Sequence, residues 1–177
     1  MKSVFVFTNT QKVMNYLASN PGEQFLANDI QNKVKISKGG VNQSLRELAE
    51  EGLINREKKG KIFLYSLNHT NVIAKQFKIL KNVELVYPLV NKLKNKSEKI
   101  ILFGSSSRGE DSAQSDIDIF VLTKVSDEIH KIVSKFKAKR KIQLIVRNTV
   151  EYMNMENKEK VFFEEINRGI AIWENKQ

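Results

Sequence analysis

The sequence predicts two domains of different class: a small, mostly helical domain closed by a basic β-hairpin, then an α/β domain built on a small mixed sheet. Three observations carry this. Apolar residues recur at helical spacing through the first part of the chain, which then switches to strand-like alternation around Lys59-Gly60. Charge is unevenly divided: residues 1–97 hold 16 Lys/Arg against 7 Asp/Glu, and residues 98–177 hold 14 against 13. In the segment Lys99–Leu122, KIILFGSSSRGEDSAQSDIDIFVL, one apolar run ends at Gly104-Ser105, and a later run is interrupted by Asp116 and Asp118. The expected boundaries are 1–69 for the first domain, 70–96 for a helical connection and 97–177 for the second domain.

The composition narrows the chemistry. With 177 residues, 41% of them hydrophobic, the chain can build a real core. It has no Cys and only two His, His69 and His130, which excludes disulfides and thiolate zinc sites but leaves room for a hard cation held by carboxylates. The apolar runs are far too short for a membrane span, and the start, MKSVFVFTN, is too weak for a signal peptide. The expectation is a soluble cytoplasmic protein with no membrane partner. A net charge of +10, concentrated in the first part, points to a polyanionic partner there.

In chain order, Thr10 is placed to cap a helix carrying Val13, Met14 and Leu17, which stops at Asn20-Pro21-Gly22. Leu26, Ala27, Ile30 and Val34 write a second helix, with Asn28-Asp29 near its start. Ser37 caps a third helix with Val41, Leu45 and Leu48 on one face, and Gly52 stops it. Leu53-Ile54 opens a strand, Lys59-Gly60 turns, and Lys61–Leu67 returns with Phe63, Tyr65 and Leu67 alternating.

Three helices followed by a basic hairpin is the order of a winged helix-turn-helix. The segment SKGGVNQSLRELAEEGLINREKKGKIFLYSLN resembles the recognition helix and wing of MarR- and ArsR-like transcription regulators. That resemblance implies double-stranded DNA as a partner and a homodimer that reads paired half-sites. The third helix would then enter the major groove with Lys38, Asn42, Gln43 and Arg46, while Arg56, Lys58, Lys59 and Lys61 of the wing meet the DNA backbone. Glu47, Glu50 and Glu51 crowd the end of the same helix and oppose nucleic acid, so a protein-docking wing stays open as an alternative.

Residues 71–96 read as two helical stretches, Val72, Ile73, Phe77, Leu80 and then Val83, Val86, Tyr87, Val90, Leu93, with a break or kink expected at Lys81-Asn82 or Pro88. The six lysines of this region read as a solvated face.

The chemistry lies beyond. Residues i and i+2 of a strand share a face about 6.6 Å apart. At an effective dielectric of about 20, two carboxylates there repel by about 2.5 kcal/mol. Asp is also a poor strand former. Asp116 and Asp118 therefore make sense as a pair that shares a cation. A strand that ends in Gly-Ser and runs into a helix presents backbone N–H groups to a phosphate. Gly104 lets the phosphate approach, the Ser105 hydroxyl donates to it and Arg108 adds a cation, with Gly109 ending the turn.

Gly104-Ser105, Ser107-Arg108-Gly109 and Ser115-Asp116-Ile117-Asp118-Ile119 together resemble the minimal nucleotidyltransferases of the DNA polymerase β superfamily. The resemblance implies transfer of a nucleoside monophosphate from an NTP, with Mg²⁺ or Mn²⁺ as cofactor. Gly104, Ser105 and Arg108 would hold the triphosphate, and Asp116 and Asp118 would bind metal as the catalytic pair. Such enzymes usually carry a third carboxylate on a later strand. Here that strand reads Lys141–Val146, and Gln143 takes the acidic position, where an amide cannot act as a base. Glu110, Asp111 and Glu151 are the candidates to replace it.

Further on, Ser126 is placed to cap a helix through Ile129, Ile132, Val133 and Phe136, with His130 on its surface. Val161, Phe162, Glu165, Ile166 and Gly169 write a last helix and its stop. Ile170–Trp173 closes the domain, with Trp173 as core. Three functional readings remain. One is an enzyme that nucleotidylates a protein, small molecule or nucleic acid. Another, which the resemblance to minimal nucleotidyltransferases implies, is an antitoxin modifying a toxin of the HEPN type. The third is a transcription regulator that uses the second domain as a non-catalytic nucleotide sensor or partner-binding module.

Overall fold

The computed structural model describes residues 8–175. The chain divides into two compact units, Met1–Lys81 and Asn82–Gln177.

The first unit opens with α1 (Asn9–Ser19), β1 (Phe25–Leu26), α2 (Ala27–Val34) and α3 (Lys38–Glu50), followed by the hairpin β2 (Ile54–Lys59) and β3 (Ile62–Leu67). Its three strands lie in the order β1-β3-β2, all antiparallel. This is a winged helix. The expected stripes of α1 and α3 meet in one core of Val13, Met14, Leu17, Ile30, Val41, Leu45 and Leu48, closed below by Ile54, Tyr65 and Leu67. Ser37 caps α3 as its type predicts, accepting from the Gly40 amide. Two details differ from the sequence reading. Thr8, not Thr10, caps α1, in a reciprocal pair with Gln11, because the helix begins earlier than its apolar stripe. Thr10 instead donates to Glu47 of α3. The two-residue strand β1 was not anticipated; it is too short for alternation to show.

Helix α4 runs unbroken from Val72 to Leu93, so of the break or kink expected there no break occurs; Pro88 lies inside it, and a short 3₁₀ turn follows at Lys94–Lys96. The stretch expected as a helical connection supplies residues to both cores. Ala74 and Phe77 join the first core, and Val86, Leu89, Val90 and Leu93 join the second.

The second unit continues with β4 (Lys99–Phe103), α5 (Gly104–Arg108), β5 (Ile117–Leu122), α6 (Ser126–Ser134), β6 (Ile142–Arg147), α7 (Thr149–Lys158), α8 (Lys160–Asn167) and β7 (Ile170–Glu174). The sheet order is β6-β5-β4-β7; β5 and β6 are parallel, and the other neighbours antiparallel. Helices cover both faces. Ile100, Leu102, Ile117, Ile119 and Val121 pack with α4 and α6, while Ile101, Phe103 and Phe120 pack with α7 and α8. Strands buried on both sides read as unbroken apolar runs, as β4 does. Ser126 is the first residue of α6 and not its cap. The sequence reading found α8 and passed over α7. Trp173 is half-buried against the α4–α6 core, and His130 is exposed on α6. No described helix is long and apolar enough to cross a membrane.

Candidate active site

The site forms where β4 ends in α5 and where the following loop enters β5. Gly104 takes φ +66°, a left-handed conformation that side chains disfavour. A Cβ there would overlap Asp118 Oδ2 and stand 3.2 Å from its Cγ. The glycine is thus required twice, by its backbone angle and by the carboxylate lying against it. Beyond it, the first turn of α5 leaves amide groups without intrahelical acceptors, and Ser105 is half-buried. Gly109, also left-handed at φ +67°, closes the turn.

Asp118 is held in the sheet between Phe103 of β4 and Gln143 of β6. Gln143 stands beside it in parallel register, where a third acid would have completed the set. Asp116 lies just outside the strand: β5 begins at Ile117, and not at Asp116 as the alternation suggested. The Asp116 carboxylate meets Lys141 Nζ at 3.0 Å. Burial pushes the Asp118 carboxyl above the ordinary Asp value. The charges of Asp116 and Glu165 push it the same way, and Arg140 and Arg108 oppose them.

The three acids considered as replacements for Gln143 are engaged elsewhere. Glu110 pairs with Arg108, Glu151 caps α7 together with Asn148, and Asp111 is buried against Arg140 and Asn82. Among the described residues, no cluster of three or more His, Asp or Glu forms a metal-ligand set. Arg108 is not an open cation. Its Nε reaches Glu110 at 3.0 Å, and its Nη1 reaches Glu165 of α8 at 3.1 Å.

Sequence reasoning missed Glu165 as a neighbour of the pair, and it missed Arg140 and Asn82 altogether. Arg140 Nη1 lies 2.6 Å from Asp111 Oδ2, and its Nε and Nη2 donate to Ser115 O at 2.9 and 2.7 Å. Asn82 Nδ2 donates to Asp111 Oδ1 and Ser106 O, each at 2.9 Å.

The donor set suits a hard divalent cation. The charge of Asp116 acts on the Asp118 carboxylate, and a cradle beside the pair has no space for a side chain. Mg²⁺ is commonly bound by one or two carboxylates together with substrate phosphates, a ligand set that Asp116 and Asp118 could supply.

A carboxylate half-withdrawn from water and set beside other acids costs stability when it is charged. The raised value of Asp118 means that the native state holds its proton longer than the unfolded chain does. Stability therefore falls as pH rises from the ordinary Asp value through the raised one, and stays lower above it. Asp118→Asn is expected to raise the metal-free melting temperature at pH 7, with the advantage fading as pH falls through that window. Melting curves across pH check this; an equal or lower melting temperature for the variant at pH 7 would contradict it.

Fold and site together define a winged helix joined to a nucleotidyltransferase fold. The family model described as polymerase beta, nucleotidyltransferase, matches residues 88–177, and the chain belongs to that family. No curated protein sequence matches the chain. Among solved structures, winged-helix regulators resemble the N-terminal part. Reduced HlyU from Vibrio cholerae shares 18% identity over 47% of this chain and 77% of its own, with a TM-score of 0.36. Lactococcus lactis ZitR, in a complex with DNA, shares 22% over 53% of this chain and 64% of its own, with a TM-score of 0.37. A possible transcriptional regulator from Methanosarcina mazei shares 14% over 51% of this chain and 81% of its own, at 0.36.

Proposed function

We propose that the second unit binds a nucleoside triphosphate with Mg²⁺ or Mn²⁺, and that the winged helix binds duplex DNA. The observation that carries the nucleotide reading is the contact between Gly104 and Asp118, which sets a bare, left-handed backbone against one of two neighbouring carboxylates. Amides of the α5 turn and the Ser105 hydroxyl would donate to the triphosphate, and Asp116 and Asp118 would hold the metal. Such a metal, when bound, neutralises phosphate charge and stabilises the entering and leaving oxygens of an in-line displacement. Transfer would form a bond from an acceptor oxygen to the α-phosphorus and break the bond to pyrophosphate. Gln143 cannot take the acceptor's proton.

Gln143 in register with Asp118 favours a second reading, in which the domain senses nucleotide and does not transfer it. Titration with Mn²⁺ and each NTP, followed by incubation with α-phosphate-labelled NTP and a lysate, separates the two. Saturable binding that Asp116→Ala abolishes supports the site, and labelled acceptor supports transfer. Binding that survives Asp116→Ala sinks the site.

For DNA, Lys38, Asn42, Gln43 and Arg46 are exposed on α3, and Arg56, Lys58, Lys59 and Lys61 are exposed on the hairpin. Three of the eight are engaged: Gln43 donates to Glu47, Arg56 stacks on Phe63 at 3.8 Å, and Lys59 lies 3.5 Å from Glu57. Lys58 and Lys61 are therefore the better test. Duplex affinity is expected to fall steeply with salt, and Lys58→Ala with Lys61→Ala to flatten the slope by about 1–2. A salt-insensitive interaction would point to a protein partner.

A further inference from the structure

We infer that Arg140 is the positioning residue of the metal pair, fixing the backbone of Asp116 as the sheet fixes that of Asp118; the metal half of this inference rests on the functional reading above. The two carboxylates are held by different means. Asp118 lies inside β5, paired on both sides. Asp116 precedes the strand, at the end of the irregular segment 109–116. Ladder pairing does not reach it.

Arg140 takes over that task. Its Nε and Nη2 fork onto Ser115 O at 2.9 and 2.7 Å, and Nη2 also reaches Asp116 O at 3.3 Å. Ser106 Oγ donates to the same Asp116 carbonyl at 3.4 Å. The guanidinium is itself aimed by Asp111, whose side chain is 0% exposed, and by Asn82 Oδ1 at 3.3 Å. Asn82 is aimed in turn by its bond to Ser106 O in the phosphate turn. The approach to β6 and α5 thus reach the carbonyls of Ser115 and Asp116 directly, while α4 and the loop hold Arg140 in place.

A planar fork with fixed donors can serve a carboxylate on one edge and carbonyls on the other. A lysine in its place keeps the charge for Asp111 but not the fork. A buried ion pair is also a poor device for stability alone, since apolar residues of like volume usually serve as well. What an apolar set could not do is donate to Ser115 O and Asp116 O.

The test is Arg140→Lys in the full chain, read first without metal by amide hydrogen exchange. The amides of Ser115 and Ile117, which close the loop onto Ser112 O and Lys141 O, are expected to exchange at least ~10-fold faster, with those of Ile119 and Phe120 unchanged. The second readout is Mn²⁺–NTP affinity by paramagnetic resonance and calorimetry, expected to weaken ~10-fold or more while the melting temperature stays close to that of the unaltered chain. Unchanged loop exchange, or a rise spread evenly over Asn82–Gln177 with a lowered melting temperature, would overturn the inference by making Arg140 either idle or a plain structural staple. Local loosening with full Mn²⁺–NTP affinity would overturn its functional half. If the unaltered chain binds no Mn²⁺–NTP, the functional reading fails, and the exchange result alone still decides whether Arg140 positions Asp116.

Discussion

Gly104→Ala is expected to abolish metal–nucleotide binding and to destabilise the second unit at the same time. Left-handed backbone costs an L-residue about 1–2 kcal/mol. The new methyl would also land on Asp118 Oδ2. Relieving that overlap means rotating the carboxylate out of the site or shifting the turn between β4 and α5, and such overpacking costs about 1–3 kcal/mol. The sum, about 2–5 kcal/mol, corresponds to a fall of more than about 10 °C in the melting transition of a domain this size. Gly39→Ala is the control. Nothing lies within 4 Å of its added Cβ, and it sits in helix α3 without a left-handed angle. It should leave stability unchanged or raise it by up to about 1 kcal/mol. Calorimetry and Mn²⁺–NTP titration of both variants check the pair. A Gly104→Ala chain that melts and binds as the unaltered one does would remove the argument for the cradle.

Much of this architecture was legible because the signals were periodic or tied to a backbone requirement. The stripes of α1 and α3, the alternation of β3 and the continuous apolar run of β4 each follow from the face that must be buried. Gly104 and Gly109 announced a turn, and both adopt left-handed angles there. What stayed hidden depends on pairing between distant segments. Arg140 reads as one more cation in the stretch Lys135–Lys141, and only its geometry sets it apart; the single signal was an arginine among lysines. Lys81-Asn82 was one of two places read as a break or kink, but the helix passes through and the Asn82 side chain bonds to Asp111. Asp111, weighed as a spare acid for the metal, proved to be buried, because a short polar loop gives no periodicity from which burial can be read. Nothing in the stretch around Arg108 signalled its pairing with Glu165 of α8, across a separation in sequence of 57 residues.

The buried pair leads to the second large effect. Asp111→Ala removes both acceptors from a centre that water scarcely reaches: the Asp111 side chain is 0% exposed and that of Arg140 is 14%. Arg140 Nη1 would lose its 2.6 Å partner and Asn82 Nδ2 its bond to Asp111 Oδ1. Leaving one member of a buried ion pair uncompensated costs about 3–5 kcal/mol. Since whole domains are stable by only about 5–15 kcal/mol, that is a large share of the total. The double variant Asp111→Leu with Arg140→Met should recover much of the loss, because it buries no unpaired charge and fills similar volume. It should not recover metal binding, because no group then donates to the carbonyls of Ser115 and Asp116. Denaturant melts of Asp111→Leu, Arg140→Met and the double variant close the cycle that measures the coupling, with Asp111→Ala giving the loss to be recovered. Stability that returns without Mn²⁺–NTP affinity separates what the network does for the site from what it does for the fold. If both return together, the polar network is dispensable to each. If neither returns, its geometry is what packs the loop.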